Sequence, residues 1–236
     1  MTATQQSHAA ARWEDYVDVF VSPAQLFRRR ADDGWVQPFL VLLVASITLY
    51  YLFLPVTEFF AAARVGTDPA AVQAFETYGR RFLRIGGIFL PIHLGIALGA
   101  TALWLRALAW IASIPIRLRH AALIACFAAF IPALGQLATG GLGLFLQRSQ
   151  AQIDPVGDLS FGILRFLPAG ELPASLVPVL ARIDIFPIWQ AGVWTAGLCV
   201  LGGCSVGRAA TVSAVALLTG ALPGVLGALV GQSFTP

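Results

Sequence analysis

Five long stretches of this chain carry no Asp, Glu or Arg at all, and the chain has no Lys. They lie between Asp33 and Glu58, Arg84 and Arg106, Arg119 and Arg148, Asp184 and Arg208, and from Arg208 to the last residue. A helix needs roughly 20 apolar residues to cross about 30 Å of hydrocarbon, so each stretch has room for one crossing. The spans are predicted near 36–56, 85–106, 120–146, 186–204 and 209–230. The end of the second is indistinct, because LRALAWIASIPI stays apolar beyond Arg106. The fold class that follows is all-α: a polytopic membrane bundle of five transmembrane helices, with short amphipathic interfacial helices between them.

Composition agrees. The chain is 58% hydrophobic and 11% charged, against about 25% charged in soluble domains, and its mean hydropathy is +0.78. All fifteen basic residues are Arg, which together with heavy Ala and Gly usage is associated with GC-rich bacterial genomes. The net charge of +3 is too small to point to nucleic acid. Cys126, Cys199 and Cys204 fall inside apolar runs, which argues against a disulfide framework or a metal knuckle. The first 35 residues lack the apolar core and small-residue cleavage site of a signal peptide, so the first span is expected to stay as an anchor.

The organisation read from this is a cytoplasmic amphipathic segment, 1–35, followed by a membrane domain, 36–236. In WEDYVDVF the helical spacing puts Trp13, Tyr16, Val17 and Phe20 on one face, with Glu14, Asp15 and Asp18 turned away. SPAQLFRRR reads as a new helix, with Ser22 as N-cap and Pro23 in its first position. Leu26 and Phe27 are expected to enter the headgroup layer while Arg28, Arg29 and Arg30 stay in water. Arginines divide eight to seven between the two sides. The short second and fourth connections, which weigh most, favour a cytoplasmic N-terminus and an external C-terminus.

Four features invite a chemical reading. Asp184, three residues before Pro187, fits the N-cap of the fourth span, where a carboxylate complements the helix dipole, or else a ligand or proton site. Trp189 fits an interfacial anchor. His93 is the one ionisable side chain deep in a predicted span, and Gln136 in the third span is a candidate partner; such groups are costly in hydrocarbon. Pro91, Pro132 and Pro223 each free a backbone carbonyl four residues earlier, which gives a kink or a broken-helix site. Gly95 with Gly99, Gly220 with Gly224, and Gly227 with Gly231 have the spacing that lets helices approach closely. Zincin, nucleophile-elbow and phosphate-loop motifs are missing from the sequence, so no enzyme and no cofactor is expected.

Two segments carry a resemblance. DVFVSPAQLF with the arginines after it supplies Asp18, Phe20, Ser22, Pro23, Phe27 and Arg28. RIDIFPIWQAGVWTAGL supplies Asp184, Phe186, Ile188, Trp189 and Gly197. Together with the span count, these resemble the bacterial branch of the Yip family of integral membrane proteins, whose eukaryotic members interact with Rab-type GTPases. The resemblance implies five helices, a cytoplasmic N-terminus, residence in the bacterial inner membrane and no enzymatic chemistry. The expected function is a membrane organiser or adaptor, with membrane lipids, other membrane proteins or a second copy of itself as partners. The alternative is a small transporter or channel using His93 and Gln136.

Overall fold

The computed structural model describes residues 13–65, 68–149, 157–167 and 172–232, and among them the protein is all-helical, with no strand. Four helices are long and apolar enough to cross a membrane: 69–111, 118–148, 185–202 and 206–230. A fifth crossing requires counting a bent pair as one span.

That pair is the first predicted span. Instead of running unbroken over 36–56, it divides into α3 (Val36–Leu52) and α4 (Leu54–Val65), with a 51° bend. Pro55 explains the break. It has no N–H for the Tyr51 carbonyl four residues earlier, and its ring crowds that carbonyl. The Phe53 ring then lies against Gly140, where an added Cβ would overlap it.

The second span is longer than expected at both ends. Asp68 caps α5 (Pro69–Ala74) by accepting from the amides of Ala70 and Ala71. A π-turn, Phe75–Gly79, leads into α6 (Arg80–Ile111), so the apolar tail past Arg106 stays helical. The third span is α7 (Leu118–Ala128) and α8 (Phe130–Ser149), stepped at Ala129, where Pro132 has no N–H to offer Ala128. After the one-turn helix α9 (Val177–Leu180), the fourth is α10 (Ile185–Gly202), which ends at Gly203 with φ +61, a left-handed position that glycine adopts without strain. The fifth is α11 (Val206–Thr219) and α12 (Leu222–Gln232), broken beside Pro223. There the Arg182 guanidinium donates to the Gly220 carbonyl, so a half-buried arginine meets a carbonyl at the break. Burial lowers the Arg182 pKa.

The centre of the bundle is α7. Ala121, Leu123, Ile124, Ala125, Cys126, Phe127 and Ala128 are all essentially unexposed. Around it stand α6, α10, α3 and, unexpectedly, the N-terminal helices α1 (Glu14–Val21) and α2 (Pro23–Arg29). This corrects the surface-lying N-terminus. Leu26 and Phe27 are 0% exposed and belong to the same core cluster as α7 and α10. The predicted face of α1 is also displaced. Trp13 and Val17 are exposed, whereas Val19 and Asp15 are buried. The reason is ionic: Asp15 turns inward because two arginines wait for it there.

Candidate functional site

The two segments that carry the resemblance meet in space. Asp15, near the start of α1, pairs with Arg29 and Arg30 at the end of α2, so the two helices form an antiparallel hairpin. Asp18 also pairs with Arg29, and Asp33 with Arg30 at 2.7 Å. For Arg30, burial alone would lower the pKa; its bonds to Asp15 and Asp33 outweigh this and leave it raised. The Arg29 pKa is raised by its bonds to Asp18 and Asp15. Both guanidiniums stay charged, and the 1%-exposed Asp15 carboxylate is held from both oxygens.

The hairpin is wedged against α10 and α7. Phe20 meets Trp189 edge-on at 5.7 Å between ring centres, and Phe27 meets Phe127 likewise at 6.1 Å. Tyr16 packs on Phe130 at 5.3 Å. Gly197 is where α2, α7 and α10 converge. A Cβ there would come within 2.6 Å of Ile124 and 3.1 Å of Phe27. Glycine at 197 is therefore a packing requirement. Ser22 occupies the N-cap position of α2 without making a side-chain capping bond; its carbonyl accepts from Gln25 and Leu26, and Pro23 is the first helical residue. Trp189, read as an interfacial anchor, spends one edge on Phe20.

Asp184 caps α10, as the spacing indicates: Oδ1 accepts from the Phe186 amide at 3.1 Å. Its other oxygen does more than the sequence suggested. Oδ2 accepts from the Phe161 amide at 2.8 Å and from the Ser160 hydroxyl at 3.3 Å. The carboxylate thus ties the 157–167 loop to the mouth of α10. Gly162 forms an isolated bridge with Asp184, and its missing side chain lets the two backbones touch.

His93 and Gln136 line one cavity of about 670 Å³ between the α3–α4 bend, α6 and α8. They do not bond to each other. At 1.5 Å per residue, His93 lies about 14 Å along α6 from Arg84, and Gln136 about 18 Å along α8 from Arg148. The two side chains therefore sit at comparable depth. Ser46, Tyr50, Thr57 and Thr139 complete the polar lining. Tyr50 donates to the Leu83 carbonyl, and Thr57 and Thr139 donate to carbonyls one turn back. His93, Gln136 and Ser46 have no side-chain partner among the described residues. Elsewhere, Trp194 Nε1 and Ser213 Oγ are buried without one.

Of the small-residue pairs, Gly95, Gly99 and Gly227 have no neighbouring atom where a Cβ would stand, so they bring no helices together here. Gly224 does meet Pro178, and Gly231 lies among residues whose side chains are outside the description. Among the described residues no group of three or more His, Cys, Asp or Glu could hold a metal ion. No protein family, curated protein or solved structure matches this chain.

Proposed function

We propose that this is a Yip-type, five-span protein of the bacterial inner membrane, with the N-terminus cytoplasmic and the C-terminus outside. In this reading it organises its membrane by binding lipids or other membrane proteins and carries out no covalent chemistry. The five-span count treats the bent α3–α4 pair as one crossing. The Yip reading rests on the two motifs and the span order.

The observation that carries the function is the unpartnered apolar surface of the second span. Only 17% of the most apolar window of the 69–111 helix is buried within the chain. Ile85, Ile88, Phe89, Ile92 and Ile96 form an exposed stripe down α6. Helices associate in lipid by close packing rather than by hydrophobic drive. A stripe of this length is therefore a surface for acyl chains or for another chain's helix.

The second reading, a transporter or channel, draws on the shared cavity of His93 and Gln136. Purified protein reconstituted in liposomes separates the two. The organiser reading expects proton, sodium and potassium fluxes equal to those of empty liposomes, together with a reproducible lipid enrichment around the protein in native nanodiscs. A flux that His93→Leu abolishes would overturn it in favour of transport.

A further inference from the structure

The geometry points to the α3–α4–α6–α8 cavity as a binding site for the uncharged, hydrogen-bonding head of a membrane amphiphile of the diacylglycerol type, entering from within the bilayer. This inference rests on the lipid-binding reading above and names the lipid class and the place.

Three observations converge. First, the exposed side chains of His93 and Gln136 and the half-buried Ser46 line the cavity, and none has a hydrogen-bond partner among the described residues. In the membrane reading these groups face hydrocarbon rather than water, where an unmade hydrogen bond is costly and a ligand that completes it is favoured. An imidazole and a primary amide offer both donors and acceptors, which suits hydroxyl and ester groups.

Second, no charged side chain lines the cavity. The guanidinium one residue from its lining, Arg84, is engaged by Glu58 at 2.9 Å. A phosphate buried here would lack a counter-charge, which favours an uncharged head over a phospholipid.

Third, access is lateral. At the outer end Val56 and Phe60 are buried and close over Gly143 together with Leu159. At the other end Leu98, Ala102 and Leu105 of α6 are buried in the core they share with α7. Between these seals, α6 and α8 each pack against α3 and α4 but hardly against each other. A glycerol head entering there would leave its chains along the exposed α6 stripe.

The test uses the full chain in phosphatidylcholine nanodiscs with a diazirine-bearing dioleoylglycerol as probe. Saturable labelling of peptides bordering the cavity is expected, competed by unlabelled dioleoylglycerol and not by dioleoylphosphatidylglycerol. The His93→Leu/Gln136→Leu double variant should lower cavity labelling at least tenfold. Thr57→Trp, which fills the cavity from the opposite wall, should do the same. Melting temperatures in the same discs confirm that both variants are folded; if either is not, the competition result in the unmodified protein decides. Labelling spread evenly over the lipid-facing helices, or equal competition by the anionic lipid, would overturn the inference. Enrichment of some other lipid in native nanodiscs would leave the organiser reading standing.

Discussion

Gly197 and the pair Gly95–Gly99 have the same side chain and opposite surroundings. Where α2 meets α10, Phe27 and Ile124 fill the space that Gly197 leaves. On α6, nothing occupies the space beside Gly95 or Gly99. The same contrast runs through the larger regions they belong to. At the α1–α2–α7–α10 junction, Asp15, Arg29 and Arg30 pair with one another and the aromatic rings interlock. At the α3–α4–α6–α8 cavity, the exposed His93 and Gln136 have no hydrogen-bond partner among the described residues. The junction is built as a core, whereas the cavity is the proposed binding site. In an apolar environment, closed packing stabilises, whereas an open polar group is tolerated only with a purpose.

That contrast breaks most readily at the junction. Phe27→Ala should lower the unfolding free energy by about 4 kcal/mol, because it removes a fully buried ring from a site that cannot collapse around Gly197. Phe89→Ala, on the exposed α6 stripe, should leave stability in detergent nearly unchanged; equal losses in chemical denaturation would erase the distinction. Asp15→Asn should cost about 3 kcal/mol, since it leaves the half-buried Arg30 short of its carboxylate. Reversing charge at 15, with Asp15→Arg, should abolish folding outright. A well-folded product would show that the pair carries no weight.

Smaller effects sharpen the comparison. Asp184→Ala should cost about 1–2 kcal/mol through loss of the α10 cap. Asp184→Asn should fall between it and the unmodified protein, because an amide has one acceptor oxygen and the structure asks for two. Thermal melts of the three proteins give the ranking. The smallest change belongs to the cavity: His93→Leu should be neutral or stabilising by up to about 1 kcal/mol, since it removes an unpaired polar group. A loss as large as that of Phe27→Ala would make the cavity part of the core.

Much of this was legible in the residues. Charge-free length marked the apolar helices, and Asp184 with Pro187 marked the N-cap of α10, which begins one residue before the predicted 186. His93 and Gln136, named from the sequence as candidate partners, line one cavity but do not bond to each other. The rest depended on contacts that spacing does not encode. Pro55 was hidden inside the first span, and only the packing of Phe53 against Gly140 shows how far the helix turns there. The inward face of α1 was misread by treating Asp15 as solvent-seeking. Its partners lie 14 and 15 residues away on another helix, and no periodicity reveals them. Treating Leu26 and Phe27 as headgroup-facing followed from the arginines after them, and the matching vacancy at Gly197 lies 170 residues further along.

The central claim is that the N-terminal hairpin belongs to the helix bundle and does not rest on the membrane surface. Hydrogen–deuterium exchange in nanodiscs, comparing the unmodified protein with Gly197→Ala, tests this most directly. The new methyl presses on Phe27 and Ile124 without touching lipid. Amides of Leu26 to Arg29 should exchange as slowly as those of α10 in the unmodified protein, and roughly tenfold faster in the variant, while those of α6 stay unchanged. Fast exchange of Leu26 to Arg29 in the unmodified protein, or rates indifferent to Gly197→Ala, would contradict the account and return the segment to the membrane surface.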